Sequence, residues 1–326
     1  YRPLPMISFG INYLAGGSNP YGYHLVNLLL HSGAVLTLLG LGRLLGLSPV
    51  AAWLIAALFA VHPLHAEPVA AIVGRMDLLA GFGFQACLYL HAAGRRYAGA
   101  TRQRVALLFT GAIASYAIAL LSKESAILLP VVALVLDHRI FSVKRIRELR
   151  VFLGYGIVTI VYLLLRNSAL GGVFPDQVES LVDNPLAHVS PALRVVSALR
   201  VAGLYLRHTI WPFDLSPDYC YAEILPFENL RSMAALAAML AGGLALVAAT
   251  WLGRRSGLTA FGSTLGLCTF LPVSNILFPG LTVMGDRLFY LPLAGICLLV
   301  GWTLDVGSTR WKRFGAMVVV LAIAVS

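Results

Sequence analysis

Residues 24–61 read HLVNLLLHSGAVLTLLGLGRLLGLSPVAAWLIAALFAV, and Arg43 is the one Asp, Glu, Lys or Arg residue among them. A helix of about 20 apolar residues crosses the hydrocarbon core of a bilayer. The stretch therefore predicts two membrane helices joined by a short turn between residues 43 and 48. Lipid cannot satisfy backbone polar groups, and the alternating pattern of barrel strands is absent, so helices are the expected structure.

The same apolar composition extends through the 326 residues, of which 59% are apolar and 12% are charged. Soluble domains are roughly half apolar and about a quarter charged. Two segments, 49–61 and 124–138, are short for a full crossing and predict tilted or partly re-entrant helices. We expect an all-α, polytopic (multi-pass) integral membrane protein with about ten transmembrane helices. The predicted spans are 24–42, 49–61, 68–94, 105–121, 124–138, 150–166, 232–252, 258–272, 288–304 and 314–326.

Residues 193–211 have a different pattern, because polar and apolar side chains separate when they are placed roughly 100° apart on a helix. One arc carries Arg194, Ser197, Arg200, Arg207 and His208. The opposite arc carries Val195, Leu199, Ala202 and Leu206. A basic stripe opposite an apolar one is typical of a helix that lies in the membrane interface. We predict one in-plane amphipathic helix here.

Basic residues are unevenly divided between the loops. With 193–211 in plane, the loops after the first, third, fifth, seventh and ninth spans contain 15 of the 24 Lys and Arg residues. Basic loops remain in the cytoplasm, so this distribution accounts for the net charge of +10 without nucleic acid as a partner. The other side carries 11 of the 14 acids, all but Asp137, Glu148 and Asp305. We expect the functional face there, outside the cytoplasm, in a bacterial inner membrane or an endoplasmic reticulum membrane.

Neither the cysteines nor the known nucleotide-binding motifs indicate a disulfide, a metal site or a cofactor. Three of the four cysteines lie in apolar runs without a CxxC spacing, so we predict that they are neither disulfides nor metal ligands. The cysteines are Cys87, Cys220, Cys268 and Cys297. The sequence contains no P-loop, no dinucleotide fingerprint and no nucleophile elbow, so it implies no firm cofactor.

The segment HPLHAEPVAAIVGRMD, residues 62–77, groups five candidate site residues: His62, His65, Glu67, Arg75 and Asp77. The two histidines and the glutamate could bind zinc or manganese, but two His and one Glu are too few to specify a metal site. They could also cap a helix break at the two prolines of the segment. We favour a third interpretation, in which they orient a polar substrate head group.

Two further groups carry charges next to apolar runs. Lys123 and Glu124 lie between two short spans, as one ion pair in a solvated turn or as a functional pair at a depth where charges are costly. Asn275, Asp286 and Arg287 lie at the entrance of a later span. There Arg287 could bind a phosphate through its fork or anchor Asp286, and the sequence favours neither.

Together these groups resemble the membrane part of the transmembrane and tetratricopeptide-repeat-containing (TMTC) family and its bacterial relatives. The family usually reads Ala-Glu-Arg where this chain has Gly285-Asp286-Arg287, so the acid is kept but is shorter by one methylene. The matching strings, in order, are Tyr1-Arg2-Pro3, His24-Leu25-Val26-Asn27 through His31, His62-Pro63-Leu64-His65-Ala66-Glu67, Gly74-Arg75-Met76-Asp77, Ser122-Lys123-Glu124, Pro217-Asp218-Tyr219, and Pro272-Val273-Ser274-Asn275 through Asp286-Arg287.

The resemblance implies a GT-C type glycosyltransferase that transfers a sugar, mannose in the family, from a polyprenyl-phosphate donor to Ser or Thr of an exported protein. Arg75 or Arg287 would balance the phosphate. His62, His65, Glu67 and Asp77 would bind the sugar or the acceptor. In this family type the catalytic acid lies in the first outer loop, so we expect the general base upstream of Tyr1.

The resemblance also implies a fragment: one GT-C-like domain over residues 1–326, with the first span and outer loop upstream and tetratricopeptide repeats downstream. Two rival functions stay open, a transporter or lipid flippase and a non-catalytic anchor for a repeat array. A transporter would place charges near the bilayer midplane and show internal repeats. Here the charges cluster at one face. A divalent metal is possible but has no support in the sequence.

Overall fold

The computed structural model describes residues 1–143, 150–172, 181–219 and 223–306. Within these ranges it contains twelve α-helices and no β-strand, which confirms the all-α prediction. The predicted span 314–326 lies outside the described residues. The helices are α1 (Pro3–Gly16), α2 (Pro20–Leu44), α3 (Pro49–Val61), α4 (Ala66–Ala70), α5 (Arg75–Arg96), α6 (Arg102–Ser122), α7 (Leu129–Arg139), α8 (Arg150–Leu170), α9 (Pro191–Ile210), α10 (Met233–Arg255), α11 (Gly257–Phe270) and α12 (Tyr290–Val306).

Local sequence sets the first residue of several helices. Ser48 caps α3 by accepting a hydrogen bond from the Ala51 amide, and Pro49 occupies the first helical position. The same Ser-Pro pair begins α9 at Ser190. A serine cap satisfies an amide that the helix leaves unpaired, and proline there loses nothing because its position needs no donor. These helices therefore begin where the sequence dictates, independently of burial.

Five segments are long and apolar enough to cross a membrane: Pro20–Leu44, Arg102–Ser122, Arg150–Leu170, Met233–Arg255 and Asp286–Val306. A sixth would be α3 together with Pro63–Ala70, two helical pieces bent by 53° at the break between them. The prediction of about ten spans is therefore not confirmed. Helices α7 and α11 have only 11 and 14 residues, fewer than a full crossing needs. Helix α5 is long enough, but its sequence is more polar than that of the five segments. The rest of the bundle surrounds α5, so its polar residues need not face lipid.

Helix α5 forms the centre of the bundle and packs against α2, α6, α7 and α12. Small residues allow this close approach. A Cβ atom on Gly83 would lie 2.9 Å from the backbone nitrogen of Ala119 in α6, and one on Gly81 would lie 2.4 Å from the ring of Tyr290 in α12. Helices α8 and α10 lie on the outside, where residues such as Ile157 and Leu240 are exposed. Their apolar faces are the ones available to lipid.

A buried polar cluster ties α5 to α7 and α8. Arg95 donates to both carboxylate oxygens of Asp137, at 2.8 and 2.5 Å. His91 bonds the same carboxylate at 2.9 Å, and its other ring nitrogen bonds the Tyr155 hydroxyl at 2.9 Å. The charge count placed Asp137 in a cytoplasmic loop, but the residue lies within helix α7. The carboxylate is 1% exposed because it faces α5 rather than solvent.

The segments between helices gather at two ends of the bundle. At one end, Asp305 accepts hydrogen bonds from the backbone and hydroxyl of Ser48, at 2.8 and 2.5 Å, and Arg139 donates to the Gly253 carbonyl at 2.8 Å. We call this the basic end; it comprises 43–49, 96–102, 139–143, 253–257 and 305–306. The opposite end, the site end, comprises 62–74, 122–128, 205–219 and 271–289. It carries most of the candidate site residues.

The segment before α9 and the C-terminal part of α9 contact the same loop of the site end. Asn184, seven residues before α9, donates to the Asn275 side chain at 2.8 Å. Near the end of α9, the Tyr205 hydroxyl donates to the Gly285 carbonyl at 2.9 Å and accepts from the Gly285 amide at 3.0 Å. These contacts fix the end of α9 at the site end, and the in-plane position of the helix stays a prediction.

We predict that residues on either side of α9 report the same membrane side. Cysteines placed at Ser190 and Asn229 should both react with an impermeant thiol reagent in intact cells, and one placed at Ser142 should not. The positive-inside rule puts the basic end in the cytoplasm. The unsubstituted protein controls for its own cysteines. Labelling of Ser190 and Asn229 from opposite sides would mean that α9 spans and that the later helices are inverted.

Candidate functional site

The site end is built on a break between α3 and α5. After Val61 the chain passes through a short 3-10 helix (Pro63–His65), then α4, then a second 3-10 helix (Ile72–Gly74) before α5 begins. Gly74 packs directly on this segment, because a Cβ atom there would lie 2.2 Å from the Pro68 carbonyl oxygen. Only glycine permits that approach without a backbone shift. The break folds back on itself, so that Glu67 lies next to Arg287, in the short 3-10 helix just before α12.

Glu67 and Arg287 form the first ion pair of the site. Arg287 donates from its guanidinium to one carboxylate oxygen at 2.6 Å and from its backbone nitrogen to the other at 2.8 Å. The side chain of Glu67 is 9% exposed and that of Arg287 is 31% exposed. The anchor between Asp286 and Arg287 that the sequence left open is therefore wrong. Asp286 instead accepts from the Tyr219 hydroxyl at 3.1 Å.

Lys123 and Asp77 form the second ion pair, which is buried between α6 and α5. Glu124, the next residue after Lys123, is held by Arg2, which donates two hydrogen bonds to the carboxylate at 3.0 and 2.7 Å. Burial alone would raise the pKa of Glu124, but the hydrogen bonds and charge of Arg2 outweigh it and lower the pKa to about 2. Lys123 and Glu124 therefore pair with other segments and not with each other.

Arg75 does not pair with Asp77, the acid nearest to it in the sequence. Residues two apart on a helix face different directions. The guanidinium of Arg75 is fully buried. It donates to the side chains of Asn27 and Asn12 and to the Tyr23 carbonyl, at 3.0 Å for Asn27 and 2.7 Å for Tyr23. These acceptors are uncharged and belong to α1 and α2. Arg75 thus fixes α1 onto the bundle, with its donors used inside the protein.

The histidines of the break bond the backbone. His62 donates from Nε2 to the Thr209 carbonyl at 3.1 Å and accepts from the Leu64 amide at 3.3 Å. His65 donates from Nδ1 to the Phe59 carbonyl at 2.6 Å. Both side chains therefore hold the break, as the capping interpretation expected, and neither lines the cleft described below. Within the described ranges, no three His, Cys, Asp or Glu side chains are grouped as metal ligands.

Asn275 is also a structural residue. Its backbone is left-handed, with φ of 61°. Its side chain accepts from the Gly280 amide at 2.7 Å and donates to the Val283 carbonyl at 3.1 Å. These bonds close the loop before α12, so Asn275 shapes the loop from which Asp286 and Arg287 emerge. It does not line the cleft.

A small cleft opens between α5, the turn after α6, the end of α11 and the start of α12. It brings together three of the sequence candidates, Asp77, Lys123 and Arg287, and separates them from His62, His65, Arg75 and Asn275. Its other lining residues are Ala80, Ser125, Thr269, Val273, Leu288, Tyr290 and Leu291. The cleft thus combines two cations and a carboxylate with an apolar wall. This composition suits a ligand with an anionic head and an apolar tail.

His31 and Tyr290 are not among the candidate residues named from the sequence, although Tyr290 lines the cleft and His31 is bonded to it. The Tyr290 hydroxyl donates to His31 at 2.9 Å, since the other His31 nitrogen donates to the Ala60 carbonyl. The glycine at position 81 leaves room for the tyrosine ring. A histidine in an apolar run was a visible signal, but its partner lies 259 residues away.

Comparison with known proteins finds relatives that are named protein O-mannosyl-transferases. The chain is 28% identical over 384 residues to protein O-mannosyl-transferase Tmtc3 of Drosophila melanogaster, an alignment that covers 96% of the chain. It is 30% identical over 361 residues to protein O-mannosyl-transferase TMTC4 of Homo sapiens, again with 96% of the chain covered. The chain spans less than half of these relatives, 41% and 48% of their lengths. No family model and no solved structure matches the chain.

We predict that Arg75→Lys destabilises the protein although it keeps the charge. A single ammonium cannot reach the acceptors on α1 and α2 together, and each buried polar group left without a partner is costly. The free energy of unfolding should fall by about 2 kcal/mol or more. Arg96→Lys, in the same helix but exposed, is the matched control and should change little. Thermal unfolding in detergent measures both. Equal stability of Arg75→Lys and wild type would contradict this role.

Proposed function

Because the chain belongs to the TMTC family, we propose that it is the membrane-embedded part of a protein O-mannosyltransferase. The donor would be a polyprenyl-phosphate mannose, and the acceptor a Ser or Thr hydroxyl of an exported protein. The enzyme would be of the GT-C type and act on the extracytoplasmic side. The names of the relatives support a glycosyltransferase that acts on proteins. The donor and the GT-C fold type are what the family resemblance implies, and the membrane side rests on the charge pattern.

The observation that supports this proposal most is the position of two cations at the mouth of an apolar cleft. Arg287 offers a planar fork that suits a phosphate, and Lys123 offers a point charge. The wall beside them includes Leu288 and Leu291 of the membrane-crossing segment. A lipid phosphate could therefore bind with its charge on the two cations and its chain along α12. A soluble nucleotide sugar would gain nothing from that wall.

The same cations suit the chemistry of transfer. When a sugar leaves a lipid phosphate, negative charge grows on the phosphate oxygens, and fixed cations stabilise that charge without reorganisation. Lys123 and Arg287 are held in place by Asp77 and Glu67, so they are oriented before a ligand arrives. A carboxylate must also remove the acceptor proton. We place that base upstream of Tyr1, in keeping with the family resemblance.

A transporter function is less well supported. A carrier needs charged groups that a substrate can reach near the middle of the membrane. The deep charged cluster described above, Asp137 with Arg95 and His91, is internally paired and nearly sealed from solvent. The exposed charges lie at the two ends of the bundle, and the two cations that line the cleft, Lys123 and Arg287, lie at the site end. This distribution favours reaction at one membrane face over passage through the bundle.

We predict that removal of the Arg287 cation weakens binding of polyprenyl phosphate. The double variant Glu67→Gln with Arg287→Gln keeps the charge balance of the pair, so the cleft should stay folded. Its affinity for polyprenyl phosphate should fall by about ten- to a hundredfold, the loss expected for a charge-assisted hydrogen bond. Binding is measured on the full-length protein in nanodiscs, and mannose transfer to an acceptor peptide should fall in parallel.

The single variant Glu67→Gln is the matched control, because it frees Arg287 from its partner. Its affinity for polyprenyl phosphate should equal or exceed that of wild type. If Arg287 is only a structural anchor, both variants should be less stable than wild type. The folded fraction of each variant should then bind polyprenyl phosphate with the affinity of wild type. That result would contradict a phosphate-binding role.

A further inference from the structure

One oxygen of Asp77 has no partner. The side chain of Asp77 is 4% exposed, and Oδ1 is paired with Lys123. Oδ2 is buried, and among the described residues nothing donates a hydrogen bond to it. Buried carboxylate oxygens are almost always hydrogen-bonded, because the interior does not replace the water they lose. An unpaired oxygen in a cleft wall therefore marks a place where a ligand is expected to donate.

The hydroxyl groups of two neighbouring wall residues are already used. The Tyr290 hydroxyl donates to His31 at 2.9 Å. The Thr269 hydroxyl donates to the Leu265 carbonyl at 2.6 Å. Neither can turn to Asp77 without giving up a buried bond. A ligand in the cleft, which Asp77 lines together with Lys123 and Ser125, can supply the donor.

The surroundings also limit the chemistry of that donor. Lys123 already neutralises the carboxylate, so a second cation is not required, and an anionic group would be repelled. A neutral hydroxyl fits, since it donates one hydrogen bond and needs no counter-charge. A phosphate held by Lys123 would bring the group attached to it next to Asp77. In a lipid-phosphate sugar the phosphate carries a polyprenyl chain and a sugar, and of these two groups only the sugar has hydroxyls to donate.

We propose that Asp77 Oδ2 accepts a hydrogen bond from a hydroxyl of the donor sugar, so that Asp77 recognises the sugar while Lys123 and Arg287 hold the phosphate. This rests on the proposed function. The sugar is preferred over the protein acceptor because Asp77 is buried in the wall. An acceptor chain would approach from the open side, where Arg287 is 31% exposed.

The test compares two ligands on the full-length protein: mannosyl polyprenyl phosphate and bare polyprenyl phosphate, without acceptor peptide. In wild type the sugar should strengthen binding. In Asp77→Asn and Asp77→Ala this advantage should shrink by about tenfold, the effect of one charge-assisted hydrogen bond. Bare polyprenyl phosphate is measured on the same variants, so that any change in phosphate binding through Lys123 affects both ligands and cancels in their ratio. The bare ligand thus controls for folding, since a misfolded variant would lose both.

Donors that lack one sugar hydroxyl identify the contact. One of these deoxy donors should lose about the same affinity on wild type as the Asp77→Ala substitution causes, and no further affinity on Asp77→Ala. An unchanged advantage of the sugar in both Asp77 variants would overturn the inference, as would a loss that appears only when acceptor peptide is present. If bare polyprenyl phosphate fails to bind wild type, the proposed function itself is wrong, and the role of Asp77 fails with it.

Discussion

Charges in the irregular segments at the site end must be paired, because neither lipid nor a packed interior solvates a lone charge. The pairing joins segments that are far apart in the sequence. Glu67 lies 220 residues before Arg287, and Asp77 lies 46 residues before Lys123. Each pair connects a break or turn to a different helix. The connecting segments 62–74, 122–128 and 271–289 are therefore tied to the bundle and to each other, and the cleft takes its shape from them.

The same requirement gives the cleft its proposed chemistry. Each of its two cations, Lys123 and Arg287, is oriented by a carboxylate and remains next to open space. A paired cation is stable in the absence of a ligand and can still form a stronger contact with a phosphate. The buried cluster around Asp137 differs from the cleft, because its charged groups are nearly closed to solvent and only hold helices together. Accessibility, more than charge, distinguishes the candidate site from a structural ion pair.

Much of this organisation could be predicted from the sequence, but the partner of each charged side chain could not. Apolar runs gave the helices, and the asymmetric distribution of His, Asp and Glu indicated which end carries the site. The prediction of about ten spans is not confirmed, because hydropathy does not separate a helix enclosed by protein, such as α5, from one in lipid. The sequence offered Arg75 as a cation for the phosphate and did not show what surrounds it. Its actual partners, including Asn27, are set by the packing of α1 and α2, which no local pattern reveals.

The most direct test of this account is an experimental structure of the full-length protein with polyprenyl phosphate bound. The account predicts phosphate density at hydrogen-bond distance, about 2.7–3.2 Å, from the Lys123 ammonium and the Arg287 guanidinium. The lipid chain should follow Leu288 and Leu291. Phosphate density at Arg75 or among the arginines of the basic end, with the cleft unchanged and empty, would contradict it.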